Sequence, residues 1–131
     1  SQGYVDKKKS AYWNMAALAP AGDLDCTAGE MLDYLRNMSQ PTKQTAQRIA
    51  RLETPTKRIN ERLQIGLGWH LMEEKGKPTL YWHNGGTYGF STFAAYIKGT
   101  GQAVVVVVNK ANANKASDAL GIAILRRMAA E

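Results

Sequence analysis

The stretch LYWHNGGTYGFSTFAAYIKGTGQAVVVVV, residues 80–108, contains three apolar runs separated by glycine-bearing breaks. Its aromatic and β-branched residues suit a pleated, half-buried surface. Residues 80–83 therefore predict one strand, 89–97 the next and 103–108 a last one. Gly99-Thr100-Gly101 between the second and third runs predicts a hairpin turn. Residues 104–108 are five consecutive valines. Without polar alternation such a run predicts burial on both faces, so helices must cover at least part of each. His83-Asn84-Gly85-Gly86 does not fit a core strand, because it brings an imidazole, an amide and bare backbone into an apolar segment.

Upstream, Leu67, Trp69 and Leu71 alternate with Gly68, His70 and Met72. A polar stretch through Gly76-Lys77-Pro78 then leads to Leu80, which predicts a strand from residue 66 joined to the next by a turn. Further upstream, Thr27-Ala28-Gly29-Glu30 fits a capping box. Met31, Leu32, Tyr34, Leu35 and Met38 follow at helical spacing and predict a helix over 28–38. Ser39-Gln40-Pro41 ends it, and a more polar helix over 43–53 stops before Pro55. Residues 56–64 support no single assignment; residues 1–22 are expected to be irregular, with a turn at Pro20-Ala21-Gly22. Residues 112–115 are expected to form a loop or cap before an amphipathic C-terminal helix carried by Ala116, Ala119, Leu120, Ala123, Ile124, Leu125 and Met128.

Helices, antiparallel strands and a final helix make an α+β order, an antiparallel sheet flanked by helices. At 131 residues the chain suffices for one domain around one core. Residues 1–65 are expected to be mainly helix and loop, and 66–131 to hold the antiparallel strands and the C-terminal helix.

The formal net charge is +6, but the basic residues are scattered from Lys7-Lys8-Lys9 to Arg126-Arg127, and Glu53 and Glu61 interrupt the middle group. Solvated helix faces explain this pattern better than a nucleic-acid surface, and no nucleic-acid motif accompanies it. No apolar run approaches the length of a membrane span. The single cysteine, Cys26, excludes an internal disulfide and is expected to be a small buried apolar residue. His70 and His83 are the only histidines and have no clustered carboxylates or cysteines. Metal-ligand spacing is therefore absent, and no metal or other cofactor is expected. His70 is expected to be a hydrogen-bonded residue at or near the surface. Gly66-Leu67-Gly68 lacks the third glycine and following helix of a dinucleotide fingerprint. Ser1-Gln2-Gly3-Tyr4 resembles neither a signal peptide nor a natural start, so a processed or truncated product is expected.

Two accounts of His83-Asn84-Gly85-Gly86 are open on the residues alone. One is a β-bulge with an incidental histidine. The other is functional. Glycine lets backbone N–H groups approach a ligand, and a strand so built can aim an oxyanion-hole donor at a substrate carbonyl. A histidine beside it can move protons near neutral pH.

Four segments, LAPAGDLDCTAGEMLDYL (18–35), GLGWHL (66–71), YWHNGGTYGFSTF (81–93) and VVVVVNKANAN (104–114), resemble in order the C-terminal part of the serine β-lactamase-like hydrolases. That family groups class C β-lactamases, D-alanyl-D-alanine carboxypeptidases, D-aminopeptidases and related esterases. The resemblance implies the C-terminal portion of a β-lactamase/penicillin-binding-protein-like transpeptidase fold. It also implies an acyl-enzyme mechanism on a small-molecule ester, amide or β-lactam. Members carry Ser-x-x-Lys, Tyr-x-Asn and, on an edge strand facing the site, Lys-Thr-Gly or His-x-Gly. His83-Asn84-Gly85 resembles the last of these. It implies His83 and the Gly86 N–H as catalytic groups, and Asn84, Gly85, Thr87 and Asn114 as substrate-binding positions.

Some class C enzymes place an arginine three residues after the position of Asn114, near a substrate carboxylate; here Ser117 stands there. This departure favours ester, amide or D-peptide substrates over β-lactams. No Ser-x-x-Lys occurs, and Tyr12-Trp13-Asn14 carries the letters of Tyr-x-Asn in the wrong stretch. The resemblance thus implies a C-terminal fragment of a larger hydrolase, inactive alone, with two motifs upstream and a periplasmic or secreted location. The competing expectation is a non-catalytic binding or assembly domain that pairs with an N-terminal fragment or a second copy.

Overall fold

The runs of residues 80–108 become three neighbouring strands in a computed structural model of the chain, which describes residues 1–130. In chain order the elements are β1 (Gly3–Val5), β2 (Lys8–Ser10), a 3-10 helix (Ala16–Ala21), α1 (Ala28–Ser39) and α2 (Ala46–Glu53). There follow β3 (Lys57–Arg58), β4 (Leu63–Ile65), β5 (His70–Met72), β6 (Leu80–Thr87), β7 (Phe90–Ile97), β8 (Ala103–Val108) and α3 (Asn114–Met128). Six strands form one antiparallel sheet in the order β3-β4-β5-β6-β7-β8, and β1 and β2 form a separate hairpin.

Alternation along the long strands divides the core in two. Leu80, Phe93, Ala95, Ile97, Val104 and Val106 turn to one face and bury Leu125 of α3. Leu71 and Tyr96 turn to the other, with Trp69, against Leu35 and Met38 of α1 and Ile49 of α2. α3 crosses β7 at Gly121, where a Cβ would lie 2.1 Å from Phe93 Cδ1. The bare helix backbone therefore sits directly on a fully buried ring.

The helices on the opposite face are fastened by polar groups as well. The predicted capping box starts α1: Thr27 Oγ1 accepts from Glu30 N–H at 3.2 Å, and the Glu30 carboxylate accepts from Thr27 N–H at 2.8 Å. At its other end the buried Ser39 donates to Ile97 O and accepts from Gly101 N–H at 2.9 Å, tying α1 to the turn between β7 and β8. Glu53, buried at the end of α2, accepts from Tyr96 Oη at 2.8 Å and pairs with Lys98. These partners stabilise a carboxylate that burial alone would penalise heavily. Burial, and then the bond to Glu53, push the Tyr96 phenol far above its ordinary range.

Several expectations need correction. The first residues are not wholly irregular: β1 and β2 pair through Asp6 and Lys7, both at positive φ (46° and 67°). Such turns usually contain Asn or Gly, so Asp-Lys gave no warning. The 3-10 helix also takes in Pro20 and Ala21 of the expected turn. Only His70–Met72 of the strand predicted from residue 66 pairs with β6, because Gly66 N–H bonds Trp69 O at 2.8 Å and closes a turn first. β6 does not stop at His83 but runs on to Thr87. Val107 is 51% exposed, so two-sided burial fails at the end of the valine run, on an outer strand. Cys26 is exposed, since it lies in the irregular segment before α1 and outside the helix's apolar face.

Gly121→Ala gains about 1 kcal/mol of helix propensity, against an overpacking cost of about 1–3 kcal/mol. With a methyl forced onto buried Phe93, the cost should prevail. A lower urea midpoint is expected, partly restored when Phe93→Leu is added; an unchanged or higher midpoint would show that α3 is not seated on that ring.

Candidate active site

The site arises from a difference in strand length. β5 pairs with residues 80–82 of β6 and ends, whereas β6 continues beside β7 to Thr87. Residues 83–87 thus have a strand on one side only.

The direction of each peptide group follows from the ladder. Ile97 N–H donates to Gln102 O at 3.0 Å, toward β8. Peptide groups alternate in direction along an antiparallel strand. Tyr96, Ala94 and Thr92 therefore bond toward β6, and their partners Tyr81, His83 and Gly85 toward β7. Trp82, Asn84 and Gly86 turn the other way. Trp82 meets β5 there, but Asn84 and Gly86 lie beyond its end. His83 and Gly86 are both exposed.

His83 bends along this same edge. Its Nδ1 lies 2.6 Å from Asn84 O. A carbonyl can only accept, so Nδ1 carries the proton and Nε2 remains an acceptor when the ring is neutral. The His70 ring approaches it around the end of β5, with centroids 5.5 Å apart, and stacks on Trp82 at 4.5 Å. Burial, then the charge of His83, hold His70 below its ordinary value, while a backbone contact with Trp82 opposes both. Among the described residues His70 Nδ1 finds no hydrogen-bond partner, contrary to expectation.

The expected substrate-binding residues separate into two groups. Gly85 lies at the edge beside His83; a Cβ there would meet Thr92 Oγ1 at 2.8 Å. Thr87 ends β6, half-buried, just before the turn at Tyr88 and Gly89. Asn84 and Asn114 instead face α3: Asn84 Nδ2 donates to Asp118 Oδ2, and Asn114 Nδ2 donates to Gly85 O, each at 2.7 Å. Both amides are engaged behind the strand. Asn114 was expected in a loop or cap but begins α3, after the Ala113 cap position.

Tyr12-Trp13-Asn14 lines a cleft of about 600 Å³ near Tyr88, two residues beyond Gly86. Trp13 meets Tyr88 edge to face at 5.2 Å. Tyr12 Oη bonds Ser1 O, and Asn14 Oδ1 accepts from Ala16 N–H at 3.1 Å. Their polar groups serve this local segment, not His83.

His70, Trp82 and Asp118 were missed as neighbours of the site. The first two become partners through the register His70↔Trp82, which residue counting around the intervening turn could have suggested. Asp118 lies four positions after Asn114, on the same helix face, but that spacing shows nothing until the helix start is known.

The family model described as Beta-lactamase matches residues 2–127. The chain belongs to the Beta-lactamase family. No curated protein matches it. Among the described residues, no helix is long and apolar enough to cross a membrane, and no group of three or more His, Cys, Asp or Glu could hold a metal ion.

The depressed His70 has a pH signature. The unfolded chain protonates at about 6.5 while folded His70 stays neutral to lower pH. Its contribution to stability is therefore present above that value and lost as pH falls below it. Urea titrations should show stability declining as pH falls from about 7 to about 5, with a shallower decline in His70→Phe. An identical slope in both proteins would rule out the depressed His70.

Proposed function

We propose that residues 83–87 form the His-x-Gly wall of a serine hydrolase site that opens esters or amides through an acyl-enzyme. The observation that carries this reading is the ladder register that directs the Gly86 N–H to the open side of β6, beyond the end of β5 and on the same edge as an exposed imidazole. A serine attacking a carbonyl at this edge creates a tetrahedral oxyanion, and Gly86 N–H donates to it. The second donor is the N–H of the nucleophile itself. His83 Nε2 takes a proton during the reaction or tunes the charge of the site. Gly85 leaves the edge uncovered, and the outward peptide groups of Asn84 and Gly86 align the substrate along it as an added strand.

The nucleophile lies outside these 131 residues. None of the five serines has a lysine three residues on, and Ser39, Ser91 and Ser117 are fully buried. A separate segment carrying Ser-x-x-Lys and Tyr-x-Asn would supply it, which makes this chain the C-terminal part of the catalytic unit. Substrates are small esters, amides, D-amino-acid peptides or β-lactams. The buried Ser117, in place of an arginine, favours those without a carboxylate at that position.

A second reading, assembly, is favoured by a different observation. Among the described residues β8 has an unpaired outer edge, and Val107 on it is 51% exposed. Edges of this kind invite another strand. An N-terminal fragment or a second copy would cover it.

Two measurements separate the readings. The 131-residue chain alone should hydrolyse neither a chromogenic cephalosporin nor a p-nitrophenyl ester; joined to a Ser-x-x-Lys segment it should turn over one of them. Loss of the Gly86 donor should then cost about 100- to 1,000-fold in kcat. Turnover by the isolated chain, abolished by His83→Ala, would overturn the missing-nucleophile account. In size-exclusion chromatography with light scattering, the isolated chain should self-associate, and Val107→Lys should reduce that. A clean monomer would count against the assembly reading.

A further inference from the structure

We infer that Asn114 and Asp118 are positioning residues that aim the Gly86 N–H, an inference that rests on the hydrolase reading of that group. Gly85 C=O and Gly86 N–H belong to one planar trans peptide, so holding the oxygen fixes the opposite direction of the N–H. Asn114 Nδ2 holds that oxygen at 2.7 Å. One helical turn later, Asp118 Oδ2 holds the Asn84 side-chain amide at 2.7 Å. Two adjacent residues of β6 are thus fastened by two residues on one face of α3.

The need for such a device is physical. Adjacent glycines make the peptide joining Gly85 and Gly86 the least restrained in the strand. The outer side of this peptide has no neighbouring strand to hold it. An oxyanion donor works only when its direction is set before the charge develops. The Gly85 carbonyl faces β7 in the ladder, and Asn114 adds a second hold on it from behind, which the lack of a side chain at Gly86 permits. A Cβ at Gly86 would lie 3.2 Å from Asn114 Oδ1.

The start of α3 is anchored in turn. Ser91, fully buried and paired with Gly86 in the ladder, accepts from Ala113 N–H at 2.9 Å and donates to Lys110 O at 2.9 Å. Ser117 Oγ adds a bond to Asn114 O at 3.1 Å. The helix start is thereby fixed against the strand opposite the proposed donor. Asn114 acts from behind the peptide and does not touch substrate.

Amide NMR of the 131-residue chain tests the positioning directly. Asn114→Ala, Asn114→Asp and Asp118→Ala should each displace the Gly86 amide signal at pH 7 while those of Ala95 and Val106 stay. In Asn114→Asp the signal should return toward its original place as the new carboxyl is protonated at acid pH and can donate again. General damage to α3 would show no such rescue. A Gly86 signal unmoved by the Asn114 variants would overturn the inference. In the chain joined to a Ser-x-x-Lys segment, Asn114→Ala should lower kcat up to about 100-fold with KM little changed. A raised KM with kcat intact would instead make Asn114 a substrate contact and overturn it too. If the unsubstituted assembly hydrolyses nothing, the hydrolase reading fails, and the NMR result still decides the positioning.

Discussion

β6 is longer than the strand beside it. Three residues of β5 pair with the start of β6, and the remaining five have no partner on that side. Backbone N–H and C=O groups need partners; His83 Nδ1 meets the Asn84 carbonyl, and the outward N–H groups of Asn84 and Gly86 must be met by water or by a ligand. The turn closed by Gly66 and Trp69 shortens β5 at its His70 end, the end that would otherwise run beside residues 83–87. The exposed imidazole and the outward Gly86 N–H follow from that difference in length.

An open edge is useful only if it is stiff, and the structure supplies stiffness from both faces. Phe93 and Leu80 are buried toward α3, and Tyr96 is buried toward α1 and α2. Ser39 and Glu53 bring their helices to the sheet through satisfied buried polar groups, which cost little once paired but would be expensive alone. α3 has two roles along its length. Gly121 and Leu125 make it a core helix, while its first turn holds the glycine segment of β6. Substitutions in its middle should act on stability, and substitutions at its start on the site.

Much of the sheet was legible because residues 80–108 carry strong local signals: β-branched runs, aromatics and glycine turns. The start of α1 was equally plain, since a capping box is contiguous in sequence. Signals failed where tertiary packing decided the outcome. Trp69 alternates like a strand residue but is drawn into an edge-to-face contact with Tyr96 at 5.0 Å. The hairpin at Asp6 and Lys7 lacks the residues such turns favour, so only its register reveals it. At the candidate site, the His-x-Gly letters lie on the exposed stretch of β6, but the nearness of His70 to them depended on pairing register. The use of Asn84 and Asn114 as fasteners depended on how α3 docks. Local patterns fix elements; which side chains meet is set by packing between them.

The most direct test of the account is residue-resolved amide hydrogen exchange along β6 in the isolated chain. Peptide groups that bond to β7 should be protected, and those beyond the end of β5 should not. The account predicts slow exchange at His83 and Gly85 and fast exchange at Asn84 and Gly86. Slow exchange at Gly86, or equal protection along residues 83–87, would mean that the edge is closed or the register shifted, and the proposed oxyanion donor would be lost with it.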